Sequence, residues 1–244
     1  MEYTYPEDAV RFFDIAPSVK VCAVSIPSMF SSAVAALEMN APAADISLFI
    51  PMASYWGIAL TERFSSFRTF KRQSEWIAGR AAFAMLSRKY SGVQGRIITE
   101  QSGAPAIEGS SSAVSITHAG DYAAAAICLE KDMLLGIDME RIRSFPHRMS
   151  FLKVGFPEED ISEMSVLPDD DILRMWTLKE SFLKIIKKGF SENLGQVRIL
   201  PDAFVYREKT IKELMRKSIS FDGHMLSVVY GNASFPITEK ETAL

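Results

Sequence analysis

Two carboxylates, Asp138 and Glu140, stand two residues apart where the apolar run MLLGI ends, in the stretch GIDMERIR. On an extended strand that spacing puts both side chains on one face, where they repel each other unless something positive lies between them. A third carboxylate, Glu180, sits in the middle of WTLKESFLK. A hard divalent cation such as magnesium takes carboxylates of this kind together with substrate phosphate and water. The same residues also admit an ordinary reading. Asp138 and Glu140 could be a solvated strand end paired with Arg141 or Arg143, and Glu180 with Lys184, four residues on, a surface ion pair worth about 0.2–0.5 kcal/mol.

His118, in SITHAGD, falls where a strand gives way to a turn, a position that also suits a purely structural histidine. The chain has three histidines, His118, His147 and His224, and their spacing assembles no zinc-type cluster. Neither GxxxxGK[ST] nor GxGxxG occurs. Nucleotide phosphates would therefore have to be held by metal and lysine.

These residues need elements to carry them. From Phe70 to Tyr90, FKRQSEWIAGRAAFAMLSRKY repeats apolar residues at helical spacing, without proline and with Lys71, Arg72 and Arg80 on or beside its polar side. A second helix is predicted over Pro168–Phe190, with Asp residues at its start, Lys184, Lys187 and Lys188 in its last turns and Gly189 as its stop. VKVCAVSI and DISLFI read as strands, and the Ala-rich stretch between them, ending at Pro42, as a short helix. RIIT, AVSIT, YAAAAICL and MLLGIDME read as strands at hairpin spacings, and QVRIL, AFVY, SISF and MLSVVYG as further ones. Each half of the chain thus has strands and one long helix. The expected fold is α+β: two similar halves, residues 1–115 and 116–244, each a small, mainly antiparallel sheet with a long helix.

Composition narrows the classes. With 48% hydrophobic and 23% charged residues the 244-residue chain is of globular type, and a net charge of -3 argues against a general nucleic-acid binder. No run of about 18 apolar residues suggests a membrane span, and the start MEYTYPEDAVRFFD lacks the features of a signal peptide, so a cytoplasmic location is expected. Cys22 and Cys128 lie in apolar strands and read as buried reduced thiols.

The order of the pieces adds a resemblance. GAP at Gly103, SITHAGD at Ser115, GIDME at Gly136 and WTLKESFLK at Trp176 together resemble the 4′-phosphopantetheinyl transferases of the surfactin-synthetase and enterobactin-synthetase type. The helix FKRQSEWIAGRAAFAML is similar to one common in the enterobactin-type subgroup, which extends the likeness from Phe70 to Phe190. The resemblance implies transfer of the phosphopantetheine arm of coenzyme A to a serine of an apo acyl or peptidyl carrier protein, with release of adenosine 3′,5′-bisphosphate and a requirement for magnesium. It implies that Asp138, Glu140 and Glu180 are metal ligands, with Glu180 also the first choice as base. His118 would contact a coenzyme A phosphate and Lys184 the pyrophosphate. Arg72 and Arg80 are candidates for the 3′-phosphate, Gly103, Pro105 and Thr117 line the coenzyme A site, and Trp176 and Lys179 pack and orient. A monomer with its active site between the halves is expected, with basic residues around Lys184, Lys187 and Lys188 helping to dock an acidic carrier.

Two departures stand out against the family pattern. Ala104 replaces a usual lysine between Gly103 and Pro105, and Thr117, His118, Ala119 replaces Ser-His-Ser or Ser-His-Cys. Neither touches the carboxylates or Lys184, so activity is expected with altered affinity for coenzyme A. The rival readings are a magnesium-dependent hydrolase of the coenzyme A pyrophosphate and a non-catalytic carrier-binding protein on the same fold.

Overall fold

The computed structural model describes residues 9–31, 37, 41–187 and 192–233. The fold is α+β with antiparallel sheets, and the chain groups into two compact units. One comprises residues 1–100 and 105–129, the other 101–104 and 130–244.

In the first unit, β1 (Val10–Asp14), β2 (Val19–Ser25), β5 (Ser112–Ala119) and β6 (Tyr122–Lys131) form one sheet in the order β1-β2-β6-β5, while β3 (Ile97–Thr99) and β4 (Pro105–Ile107) form a separate hairpin. The division expected after residue 115 falls within β5, while the contacts group β5 and β6 as far as Leu129 in one unit. Short helices α1 (Ile26–Met29), α2 (Ile50–Trp56) and α3 (Glu62–Ser65) precede α4 (Phe70–Lys89). This last helix starts where Thr69 accepts a hydrogen bond from the Arg72 amide at 3.2 Å, and it packs on β2 and β5. Phe30, Phe49, Phe64 and Phe70 pack largely edge to face in its core. Cys22 and Cys128 are both buried thiols, and burial pushes the Cys22 thiol up.

DISLFI is not a strand. Asp45 accepts from the Ser47 amide at 2.8 Å and caps a 3-10 turn over Ile46–Leu48, after which Pro51, with its preset φ, sits in the first turn of α2. The Ala-rich stretch expected to be helical falls largely on residues 32–36 and 38–40, outside the described residues.

In the second unit, β7 (Met133–Arg141) pairs with β12 (His224–Asn232), which pairs with β11 (Met215–Phe221). A second sheet holds β8 (Val197–Leu200), β9 (Ala203–Tyr206) and β10 (Lys209–Ile211) in the order β10-β9-β8. Two short helices, α5 (Arg148–Gly155) and α6 (Glu158–Met164), lead into α7 (Asp169–Ile185), which lies on β7 and β12. Asp169, Asp170 and Asp171 occupy its first turn, where the helix dipole favours negative charge. Lys188, Gly189 and Phe190, expected at its end, lie outside the described residues.

Candidate active site

The carboxylates are assembled by a missing side chain. Gly136, Asp138 and Glu140 alternate along β7 and so share one face. A Cβ on Gly136 would stand 1.9 Å from the carbonyl oxygen of Ser181 on α7. Only glycine lets the helix backbone come this close, and that approach brings Glu180 and Lys184 down to the strand. Asp138 and Glu180 are both buried, and Glu140 is half-buried.

Asp138 is not solvated and Glu180 with Lys184 is not a simple surface pair, while half-buried Glu140 does have Arg143 as a nearby charge. Lys184 donates to Asp138 Oδ1 at 2.8 Å and to the Ile137 carbonyl at 2.7 Å, reaching across to the strand instead of pairing along its own helix. It supplies some of the positive charge that Asp138 and Glu140 call for, and Arg143 adds more near Glu140, but three carboxylates outnumber them. The imbalance contributes to the acidity of Glu180 and Glu140. Burial first, then Asp138 and Glu140 against the opposing pull of Lys184, raises the Glu180 carboxyl to about 7. Burial and then Asp138 raise Glu140, with Arg143 and Lys184 opposing.

Among the described residues no three carboxylate, histidine or cysteine groups form a ready-made metal cage. Magnesium does not require one, because it commonly takes one or two carboxylates and fills its other positions with water and substrate phosphate. An all-oxygen set in which burial and neighbouring carboxylates raise two of the members, Glu140 and Glu180, fits such an ion.

Next to Glu180, Lys179 is 1% exposed and donates to the carbonyls of Gly155, at 2.7 Å, and Leu194, at 3.3 Å, with its ammonium over the Phe156 ring. Burial lowers its pKa to about 7. Trp176 closes the same contact from the other side, since a Cβ on Gly155 would meet its ring at 2.6 Å. These two residues anchor α7 to the end of α5. The hydrogen bonds that Lys179 makes were not legible in the sequence, where it reads as added charge.

The basic residues lie in the first unit. A Cβ on Gly79 would stand 2.6 Å from Cγ2 of Ile116, so glycine again lets a helix, α4, press on a strand, β5. His118 follows Ile116 by two residues and faces the same way. There it meets Arg72 Nη1 in a short contact with its Nε2, while Glu75 Oε2 stands 3.4 Å from His118 Nδ1 and 3.2 Å from Arg72 Nη1. Thr117, on the other face of β5, is buried. Arg80 stacks on Trp76 at 3.5 Å and donates weakly to Thr99 Oγ1 at 3.4 Å. Burial, with Arg63 and Arg72 as like charges nearby, lowers its pKa to about 9, still cationic at neutral pH, and none of the described carboxylates pairs with it.

Pro105 opens β4 directly opposite Thr99, and Gly103 precedes it with a left-handed φ of 85° that favours glycine. Lys187, expected to dock a carrier, follows α7 with a φ of 55°. Glu75 is the residue that sequence reasoning missed. Its spacing to Arg72, three along one helix face, was a usable signal; its contact with His118 was not, because that crosses from helix to strand.

Comparison with known proteins places both parts of the chain in one family. Residues 66–128 match the 4′-phosphopantetheinyl transferase N-terminal domain, and residues 134–225 match the 4′-phosphopantetheinyl transferase superfamily. A Synechocystis sp. protein provisionally named a 4′-phosphopantetheinyl transferase is 28% identical over 86 residues, covering 34% of each chain. The match thus spans about a third of the length of that curated relative. Among the described residues no helix is long and apolar enough to cross a membrane.

Proposed function

Because the chain belongs to the 4′-phosphopantetheinyl transferase superfamily, we propose that it moves the 4′-phosphopantetheine arm of coenzyme A onto a serine of an apo acyl or peptidyl carrier protein, with magnesium. The observation that carries this is the group Asp138, Glu140, Glu180 and Lys184, in which burial first, and then the neighbouring carboxylates, lift the Glu180 carboxyl to about 7. The serine oxygen forms a bond to the phosphorus bearing the pantetheine arm. The bond from that phosphorus to the bridging oxygen breaks, and adenosine 3′,5′-bisphosphate leaves.

Asp138, Glu140 and Glu180 would hold the metal, which when bound neutralises pyrophosphate charge and orients the phosphoryl group. Glu180, with a proton affinity near neutral, accepts the serine proton. Lys184 steadies Asp138 through its 2.8 Å contact and would offset charge that develops on the leaving group. Arg80, a half-buried cation beside Arg63 and Arg72, suits the dianionic 3′-phosphate. His118, oriented by Glu75, and Arg72 supply further donors to coenzyme A phosphate.

Incubation with coenzyme A, magnesium and a panel of apo carriers, read by intact mass, tests the proposal. A gain of one phosphopantetheine on a carrier serine is expected. Free phosphopantetheine with unmodified carrier would mean hydrolysis instead, and bound coenzyme A without turnover a non-catalytic carrier-binding protein.

A further inference from the structure

Ser218 on β11, Ser227 on β12 and Asp138 on β7 are register partners across one sheet. Cross-strand partners present their side chains to the same face, with Cβ atoms roughly 5 Å apart. The row therefore runs from two serines to the proposed metal ligand along the face that α7 covers. Ser227, in its middle, is fully buried. Its hydroxyl stands 2.7 Å from Ser218 Oγ and 2.7 Å from Thr177 Oγ1, and its carbonyl accepts from Ser181 Oγ at 2.9 Å. Thr177 and Ser181 are one turn apart on α7 and bracket Glu180 in sequence. Thr177 Oγ1 also reaches the Leu173 carbonyl at 3.1 Å, so the chain of hydroxyls ends satisfied within the helix.

Apolar packing alone tolerates small slides and rolls of a helix, whereas a buried, fully bonded polar chain selects one placement. For α7 the placement matters. A slip of one residue moves a side chain about 1.5 Å along the axis and turns it about 100°, while magnesium demands near-octahedral oxygens at about 2.1 Å. The notch at Gly136 fixes how closely the helix approaches the strand, since it meets the Ser181 backbone. It does not fix how the helix is rolled. The two contacts from Ser227, one turn apart, do.

We propose that Ser227 is a positioning residue of the metal centre: through Thr177 and Ser181 it sets the height and roll of α7, and so the spacing of Glu180 from Asp138. This rests on the magnesium reading given above. Neither Ser227 nor Thr177 has a role of its own in binding coenzyme A in that reading, so the effect should appear on the metal.

The test is Mn²⁺ binding to the full chain with coenzyme A present, followed by the loss of the free-ion electron paramagnetic resonance signal, beside thermal melts. Ser227→Ala and the near-isosteric Thr177→Val are each expected to weaken Mn²⁺ binding roughly tenfold, the lower end for outer residues that orient metal ligands. Thr177→Ser, which keeps the hydroxyl, should restore it, and Ser220→Ala, a serine two residues from Ser218, should leave it unchanged. If Thr177→Val lowers the melting temperature but binds Mn²⁺ like the parent, the hydroxyl chain only holds the fold and the proposal is overturned; Thr177→Val keeps the test open even if Ser227→Ala fails to fold. If the parent chain itself shows no saturable Mn²⁺ binding, the metal reading falls, and this inference with it.

Discussion

In both units a glycine lets a long helix sink onto a strand, but the glycine sits on opposite partners. On α4 it is Gly79, whose missing Cβ leaves room for the Cγ2 of Ile116; on β7 it is Gly136, whose missing Cβ leaves room for the Ser181 carbonyl. In both, the proposed site residue lies two residues further along the strand, His118 after Ile116 and Asp138 after Gly136, and so faces the helix. The difference is in what each glycine touches. A side-chain methyl can yield by a rotation, but a helix carbonyl moves only with the helix. The carboxylate group should therefore be the brittle one and the Arg72–His118 pair the forgiving one.

Gly136→Ala should have the largest effect. With a Cβ 1.9 Å from a backbone oxygen, β7 and α7 must separate, which should cost about 3 kcal/mol, the upper end for overpacking, and abolish carrier modification. Urea unfolding and the mass assay check both. A Gly136→Ala protein with near-parental turnover would show that the carboxylates do not depend on this contact.

Next comes Glu180→Gln, which keeps shape and removes a charge and a proton acceptor. Turnover should fall roughly 10²-fold or more. Stability should move the other way. In the metal-free chain the Glu180 pKa is raised from 4.5 to about 7, so its contribution is fully present below 4.5 and is lost as the pH rises through 7. Removing the carboxyl removes that loss. The metal-free variant should then lose less melting temperature than the parent between about pH 5 and pH 8. Equal slopes would mean that Glu180 is not held protonated by burial and its neighbours, and unchanged turnover would take it out of the chemistry.

How much of this could be read from the sequence follows from the range of the interactions. Helix α4 was legible residue by residue because its apolar repeat is local, and β5, β6 and β7 because turn residues bracket them. DISLFI was misread as a strand because its alternation is equally local, while the Asp45 cap and Pro51 that override it act through single hydrogen bonds and a fixed φ. The helices α5 and α6 were missed, being one or two turns long with weak patterning. Asp138 and Glu140 were legible as a pair since the strand period alone puts them on one face. That Lys184 would serve Asp138 and not Glu180 was beyond local reading, as it depends on how deeply Gly136 lets α7 settle.

In the forgiving unit, Arg80→Ala should weaken coenzyme A roughly tenfold, as expected for loss of a hydrogen bond to a charged group, and should weaken 3′-dephospho-coenzyme A less. Its guanidinium, stacked on Trp76 and facing the like charges of Arg63 and Arg72, lacks a described carboxylate partner that a phosphate would have to displace. Calorimetric titration of both ligands decides the matter. Equal losses would detach Arg80 from the 3′-phosphate.

Gly79→Ala should have the smallest effect, and it is the sharpest test of the comparison. Two terms oppose each other there. Alanine in a helix interior is favoured over glycine by about 1 kcal/mol, while crowding a packed contact costs about 1–3 kcal/mol. The crowded atom is a methyl of half-buried Ile116 at 2.6 Å, able to yield by a side-chain rotation, so the crowding cost should lie toward the lower end of that range. A net loss of about 1 kcal/mol or less follows. What movement remains falls on β5 at the residue two before His118, and should loosen the contacts that Arg72 and Glu75 make with its ring. The Michaelis constant for coenzyme A should then rise a few-fold with turnover retained, because the carboxylate group belongs to the other unit. A Gly79→Ala chain as inactive and unstable as Gly136→Ala would mean that α4 is seated as rigidly as α7, and that the partner a glycine faces does not set how much its loss can be absorbed.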